Sequence, residues 1–157
     1  MKLLQKDIFG NILIIKKVLI IILGCLSYRR FNGINNLKIK GSEIIKKLPK
    51  KNVLFISNHQ TYFADATAMI HVFNSSLNGG KNTLRNLIYL FKPKLNIYFI
   101  AAKETMSSGW LPKILAYTGA ISIGRTWREN GKEIKREVNN QDIDNVNLGL
   151  KSGWVIT

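Results

Sequence analysis

A histidine and an aspartate that lie close together in the sequence are the residues best suited to chemistry. His59 and Asp65 are six positions apart in the stretch SNHQTYFAD at positions 57–65. A carboxylate that holds an imidazole in one tautomer makes it a general base, which can take the proton of a substrate hydroxyl and speed a reaction by about 10²–10⁴-fold. By itself this spacing is more often that of a hydrogen-bonded loop, so the surrounding elements have to decide between the two interpretations.

The residues on either side of the pair predict a strand followed by a helix. Val53-Leu54-Phe55-Ile56 is a short β-branched and aromatic run, typical of a buried strand. His59 is therefore expected at the carboxyl end of a strand, where α/β sheets place their ligand sites. A helix predicted from about Tyr62 to Phe73, with Thr61 as its N-cap, carries Asp65 in its first turns, where the helix dipole stabilises the carboxylate.

The rest of the chain alternates strands with helices. Further strands are predicted at 97–101, 120–123 and 154–157, and helices at 42–48, 84–91, 110–117, 126–140 and 142–150; Gly131 is a candidate interruption of the charged helix at 126–140, and Gly119 is expected to end the helix at 110–117. This alternation predicts an α/β fold with a mostly parallel central sheet flanked by helices. The glycine-rich signatures of dinucleotide-binding and P-loop proteins and the GxSxG of serine hydrolases are absent from the sequence. His71, on the helix after Asp65, is expected to be partly exposed and not catalytic.

The first 30 residues predict a helix that lies at a membrane interface. The segment Ile8–Leu26 is largely apolar, but Lys16 and Lys17 interrupt it, and a bilayer-spanning helix needs about 20 apolar residues. We expect the apolar residues to face lipid and the lysines to reach water. The alternative is a buried helix of a soluble core. The basic flanks favour the membrane, because they would meet anionic headgroups; they are Lys2, Lys6, Arg29 and Arg30.

The sequence therefore predicts three parts. Residues 1–30 form the membrane-associated helix, residues 31–52 a basic connector, and residues 53–157 the α/β domain. The connector is polar and is broken by Gly33 and Gly41, which are poor helix formers.

The charge balance implies an anionic partner. The chain has 24 Lys and Arg against 9 Asp and Glu, a formal net charge of +15. Anionic lipid, phosphorylated small molecules and nucleic acid would all fit such a charge. The lysines are spread along the chain and no helix-turn-helix, zinc-finger or RNP signature is present, so no nucleic-acid partner is expected. With one cysteine and two histidines, neither a disulfide nor a zinc site of the usual type is expected.

The stretch around His59 resembles the first signature of the glycerolipid acyltransferase family, which includes the 1-acylglycerol-3-phosphate (lysophosphatidate) acyltransferases. Asn58, His59 and Asp65 carry the resemblance. The family pattern separates the histidine from the aspartate by four residues, whereas five stand here, with Ala64 at the position of the acid. A one-residue bulge or a shifted helix start is then required to bring Asp65 to His59.

Two further segments resemble the same family in the same order. Ala102-Lys103-Glu104 is similar to its Ala-Lys-x-Glu segment, and Gly119 to Arg125 (GAISIGR) resembles its second block, a glycine, a hydrophobic strand and an arginine. The resemblance implies that Arg125 binds the phosphate of the acceptor and that Lys103 adds a second positive charge there. A guanidinium suits this role because it offers bidentate bonds to phosphate.

The resemblance implies transfer of a fatty acyl group from acyl-CoA or acyl-carrier protein to the hydroxyl of a lysophospholipid, with 1-acylglycerol-3-phosphate as the leading acceptor and phosphatidate as its product. It implies no metal or other cofactor and a place at the cytoplasmic face of the cell membrane, monotopic or peripheral. Two alternatives stay open: another acceptor, such as glycerol-3-phosphate or an amino-acid-headed lysolipid, and a non-catalytic basic protein that binds membranes or nucleic acid. The family's third block is expected after Trp154–Thr157 and is not in this sequence, which predicts a fragment of an acyltransferase and leaves open whether this chain alone is active; a minimal enzyme without that block is the alternative.

Overall fold

The computed structural model describes residues 4–58, 63–84, 86–107, 109–124, 128–129, 132–133 and 139–157. The chain divides into two compact units, which are treated separately below. The helical unit comprises Met1–Pro49 and Ser57–Leu95, and the sheet unit comprises Lys50–Ile56 and Asn96–Thr157. The three-part division predicted from the sequence stays a prediction.

In the part of the helical unit that the structure describes, there are two α-helices and several shorter turns of helix. Helix α1 spans Leu13–Arg29 and runs on into a π-helical turn at Arg30–Ile34, and helix α2 spans Ala64–Leu77. Two 3₁₀ segments, Ser42–Lys47 and Leu87–Phe91, pack against them. The predicted helices at 42–48 and 84–91 therefore exist as these tighter turns.

The core of the helical unit forms where α1 approaches the 3₁₀ segment Leu87–Phe91. Phe31, Leu84, Tyr89 and Leu90 are its buried members. Gly24 permits this approach, because a Cβ at that position would lie 2.6 Å from Cδ2 of Leu90. A methyl group there would force the helix away from the core.

Lys16 lies inside the helical unit instead of reaching water. Its side chain is 0% exposed, and its Nζ lies 3.0 Å from Oδ2 of Asp7. Asp7 also accepts hydrogen bonds from the backbone N–H groups of Phe9 and Asn11, which close a turn ahead of α1. Burial raises the pKa of Asp7, but Lys16 and Asn11 outweigh it and hold that pKa below its ordinary value. The prediction that Lys16 extends to water is therefore wrong, since Asp7 supplies its counter-charge.

One face of α1 is apolar and exposed. Ile20 and Gly24 are buried on the opposite face, together with Lys16. The exposed side chains follow helical spacing, at 44–74% exposure; they are Ile15, Val18, Ile22 and Leu26. Within the described residues, no helix combines the length and apolarity needed to cross a membrane. Helix α1 thus has apolar residues on two faces. The face with Ile20 and Gly24 is buried, and the face with Ile15, Val18, Ile22 and Leu26 is exposed.

Within its described residues, the sheet unit contains six strands and three helices. The strands are β1 (Val53–Phe55), β2 (Ile97–Ala102), β3 (Ala120–Ile123), β4 (Arg128–Glu129), β5 (Lys132–Glu133) and β6 (Trp154–Ile156). The helices are α3 (Lys103–Ser107), α4 (Trp110–Tyr117) and α5 (Asn140–Ser152). Four strands form one parallel sheet in the order β1-β6-β2-β3, which confirms the predicted α/β fold with a parallel central sheet.

The centre of this sheet is buried because its strands are apolar on both faces. All three residues of β6 are buried, as are the first three residues of β2. Continuous apolar runs are typical of parallel strands with covered faces. Helix α5 comes close to the sheet at Gly149, where a Cβ would lie 2.7 Å from Cδ1 of Ile121.

The helix predicted at 126–140 is wrong at residues 128–129 and 132–133, which the structure describes as strands. Strands β4 and β5 pair antiparallel there, with Glu129 opposite Lys132. The sequence between these two residues is Asn130-Gly131, the dipeptide most typical of two-residue hairpin turns. Its preference for positive φ is incompatible with a continuous helix.

Candidate functional site

The His59–Asp65 stretch is only partly described. Asp65 lies in the first turn of α2, as predicted, and is partly buried, whereas Asn58 is exposed. His59 and Thr61 lie outside the described residues, so the contact between His59 and Asp65 stays a prediction. Helix α2 begins at Ala64 with Phe63 at the N-cap position, which provides no side-chain cap. This start is two residues later than predicted and places Asp65 at the positive end of the helix dipole.

The carboxyl ends of β2 and β3 bring Lys103 next to Gly124. In the parallel register Ala102 pairs with Ile123, so the residues that follow them leave the sheet side by side. Lys103 begins α3, and its side chain is 51% exposed. Arg125, the predicted phosphate ligand, follows Gly124 in sequence and lies outside the described residues.

An aspartate that the sequence analysis missed joins these two strand ends. Oδ1 of Asp142 lies 3.1 Å from Nζ of Lys103, and Oδ2 accepts the backbone N–H of Gly124 at 2.8 Å. Burial raises the pKa of Asp142, but the Gly124 N–H and Lys103 together hold it below its ordinary value. Asp142 is therefore an anion at neutral pH, and Lys103 is ion-paired in this structure.

Asp142 owes its position to the start of α5. Asn139 caps this helix, its side-chain oxygen accepting the N–H of Gln141 at 2.9 Å. An N-cap asparagine with an acid three residues later is a recognisable helix start. This pattern could have drawn attention to Asp142 in the sequence. It predicts only the start of a helix, and it does not predict the contacts of Asp142 with Lys103 and Gly124.

Gly119 follows the C-cap residue Thr118 and ends α4. Its φ of +132° lies in the region that side chains rarely adopt. Its N–H donates to the carbonyl of Ala116, and its own carbonyl accepts the N–H of Phe99 in β2. Gly119 therefore turns the chain from the helix directly into β3.

A second polar cluster surrounds His71 in the helical unit. The imidazole is buried, with Nε2 2.8 Å from Oγ of Ser27 and Nδ1 2.8 Å from the hydroxyl of Tyr89. Phe31 packs edge-on against the ring. The prediction of a partly exposed His71 is wrong, because α1 and the 3₁₀ segment that carries Tyr89 enclose it and satisfy both nitrogens.

Ser27 and His71 are as close together as a catalytic serine and its base. The position of the proton on the His71 imidazole does not fit that role. The Ser27 hydroxyl lies 2.7 Å from the carbonyl of Leu23 as well as 2.8 Å from Nε2, and it has one proton to donate. The His71 tautomer that satisfies every contact carries its proton on Nε2, so that Ser27 donates to Leu23 and Nδ1 accepts from Tyr89. Burial lowers the pKa of His71 to about 4. A base that resists protonation and already carries its proton on the serine side cannot activate that serine. The cluster is structural.

We expect His71 to make the helical unit less stable in mild acid. Unfolded chains bind a proton at a pKa near 6.5, whereas the folded protein does so near 4. Stability is therefore complete above about pH 6.5 and falls towards pH 4, by on the order of 3 kcal/mol. Urea unfolding between pH 4 and 7.5 measures this slope. His71→Gln, which does not titrate, should flatten it; an unchanged slope would contradict the assignment.

A cleft of about 480 Å³ in the helical unit does not fit a phosphate. It lies at the C-terminal end of α2, between Ser75, Asn78 and the loop Gly79–Thr83. Helix C-termini carry partial negative charge, which repels anions and attracts a lysine such as Lys81. We therefore interpret the cleft as a feature of the C-terminus of α2 and not as a binding site for an anion.

Within the described ranges, no three or more His, Cys, Asp or Glu side chains group together as metal ligands. Comparison with protein-family models, curated proteins and solved structures found no match for this chain. The case for a function therefore depends on the residues themselves.

Proposed function

We propose that this chain is, or is part of, a membrane-associated glycerophospholipid acyltransferase. It would move a fatty acyl group from acyl-CoA or acyl-carrier protein to the free hydroxyl of a lysophospholipid, with lysophosphatidate as the leading acceptor. The observation that carries this proposal is the position of the three resembling segments. The His59 segment follows β1, Lys103 follows β2 and Gly124-Arg125 follow β3, all strands of one parallel sheet. Ligand sites of α/β sheets lie beyond the carboxyl ends of such strands.

In the proposed reaction His59 acts as the general base. It takes the proton of the acceptor hydroxyl as that oxygen attacks the thioester carbonyl. The new C–O bond forms, the C–S bond breaks, and the proton passes from His59 to the departing thiolate. Asp65 orients the imidazole and stabilises the imidazolium, and its place in the first turn of α2 favours the anion this role requires.

Arg125 and Lys103 would hold the phosphate of the acceptor. The described part of this site supports the proposal through Lys103, whose half-exposed side chain starts at the carboxyl edge of the sheet. Two cations at one phosphate would select phosphorylated acceptors over neutral ones such as monoacylglycerol.

The proposal is tested by acyl transfer from labelled acyl-CoA and labelled acyl-carrier protein. The acceptors are lysophosphatidate, glycerol-3-phosphate, an amino-acid-headed lysolipid and monoacylglycerol. Labelled phosphatidate is the expected product, and product with another acceptor would keep the reaction class while changing the substrate. A folded protein that transfers nothing, but binds anionic vesicles or shows salt-sensitive DNA binding, would favour the non-catalytic alternative.

We also propose that α1 lies at the membrane interface. This placement is supported by the exposed apolar face of α1, which consists of Ile15, Val18, Ile22 and Leu26. These side chains would contact water unless lipid covered them. The neighbouring Lys6, Arg29 and Arg30 are exposed and suit anionic headgroups.

We expect Ile22→Ser combined with Leu26→Ser to weaken binding to phosphatidylglycerol-containing vesicles by roughly 10- to 100-fold, because two apolar side chains no longer enter the lipid. Vesicle co-sedimentation measures the partition coefficient. The matched control is Ile44→Ser, an equally exposed isoleucine on the 3₁₀ segment Ser42–Lys47. Equal weakening by the control, or none by the double variant, would contradict this placement of α1.

A further inference from the structure

We infer that Asp142 is a positioning residue, which pre-organises a binding site for a phosphate monoester at the carboxyl ends of β2 and β3. This inference builds on the proposed function, because Lys103 and Arg125 are the residues predicted to bind the acceptor phosphate. Asp142 itself matches none of the resembling segments.

The geometry that carries the inference is a bridge from α5 to two neighbouring strand ends. Lys103 and Gly124 each follow the last residue of a strand, and those last residues pair in the sheet. The two oxygens of Asp142 divide between them: one pairs with the Lys103 ammonium, and the other accepts the Gly124 N–H. The Asp142 side chain is 10% exposed and that of Lys103 is 51% exposed, so the ion pair lies at the protein surface with its carboxylate on the inner side.

The first consequence concerns the direction of the Lys103 ammonium. An ammonium has three N–H donors, and the bond to Asp142 occupies one of them. The lysine side chain remains half exposed, so its other donors are accessible to a ligand. Fixing a long flexible side chain before the ligand arrives reduces the entropy lost on binding.

The second consequence concerns the chain that leaves β3. The bond to Gly124 fixes the backbone at the residue before Arg125. A Cβ at Gly124 would stand 3.6 Å from Oδ2 of Asp142, an ordinary contact, so the carboxylate fits closely beside this backbone. Asp142 thereby fixes Lys103 and the Gly124 backbone at the two strand ends, although it is itself an anion and would not touch the phosphate.

A comparison of two substitutions separates this role from simple charge removal. Asp142→Asn keeps an oxygen for the Gly124 N–H and loses the charge beside Lys103, whereas Asp142→Ala loses both. The loss of negative charge is common to the two variants, so the difference between them reports the tether to Gly124. Asp144→Ala, an exposed acid on the same helix, is the control.

The measurement is a titration of the ¹⁵N-labelled chain with glycerol 3-phosphate, followed through the backbone amide of Gly124. We expect the parent chain to bind it and Asp142→Ala to bind about tenfold more weakly than Asp142→Asn. Asp144→Ala should bind like the parent. Equal dissociation constants for the two Asp142 variants, or no binding by the parent chain, would overturn the inference.

A double-mutant cycle decides the matter should Asp142→Ala fail to fold. Lys103→Gln is measured alone and in the Asp142→Asn background. If Asp142 positions Lys103, the effect of Lys103→Gln on the dissociation constant shrinks in that background, whereas additive effects overturn the inference. Anion binding as expected without acyl transfer to any acceptor would remove the proposed function and leave the role of Asp142 standing.

Discussion

Replacing His59 with alanine is expected to slow acyl transfer to lysophosphatidate by about 10²-fold or more, because no other group would take the proton of the attacking hydroxyl. Initial rates at saturating acyl donor and acceptor measure this loss. Binding of the acceptor should change little, since the predicted phosphate ligands are elsewhere in the sequence. The loss should therefore appear in kcat and not in KM.

Asp65→Asn tests whether the two residues act as a pair despite the five residues between them. If they do, His59→Ala combined with Asp65→Asn should be no slower than His59→Ala alone, because removal of the base makes its orienting carboxylate irrelevant. Asp144→Asn, an exposed acid in α5, is the matched control and should leave the rate unchanged. Equal rates for the parent and His59→Ala would refute the mechanism even where phosphatidate is formed.

Asp7→Ala is expected to destabilise the helical unit by about 3–5 kcal/mol, the usual cost of leaving a buried charge without its partner. Lys16 is fully buried, and its ammonium would lose the carboxylate 3.0 Å away. Burial already lowers the pKa of Lys16, and loss of Asp7, which opposes this effect, would lower it further. The free energy of unfolding in urea measures the cost.

The companion variants identify the cause of that loss. Lys16→Met combined with Asp7→Ala should recover the part of the loss that comes from the buried ammonium, whereas the part that comes from the Phe9 and Asn11 N–H groups should remain. Lys17→Met, at the adjacent and less buried position, should change the free energy of unfolding by less than about 1 kcal/mol. If Asp7→Ala costs no more than Lys17→Met, the buried ion pair does not contribute to stability in solution.

The strands were predictable where composition alone determines burial. The β-branched and aromatic run before His59 and the short run after Gly119 became β1 and β3 within one residue of the predicted bounds. Helix α4 also has the predicted bounds, since Pro112 suits a first turn and Gly119 suits the residue after the end. In the segment 126–140, the many charged residues suggested a helix, whereas Asn130-Gly131 was the stronger signal and indicated the β4–β5 hairpin.

The buried polar side chains could not be predicted, because their partners come from distant parts of the sequence. His71 meets Ser27 and Tyr89, which lie 44 and 18 residues away. Asp142 meets Lys103 across 39 residues. From the local sequence pattern, a lysine, histidine or aspartate is predicted to lie at the surface. Only the tertiary structure shows that such a residue is buried and has a hydrogen-bond or ion-pair partner. The candidate site residues His59, Asp65, Lys103 and Arg125 therefore stay predictions from residue type, and the contacts that Asp142 makes with Lys103 and Gly124 could not be predicted.

The order of strands in the sheet has a consequence for synthesis on the ribosome. Among the described residues β1 pairs with β6 alone, and about 100 residues of chain separate them. At translation rates of about 5–20 residues per second, β1 would wait roughly 5–20 s for its partner. During that time its backbone N–H and C=O groups have no place in the sheet, and an unpaired apolar strand is open to pairing with other chains. Val53–Phe55 is therefore, among the described strands of this sheet, the one that waits longest for its first partner, and the newly made protein is most exposed to mispairing there.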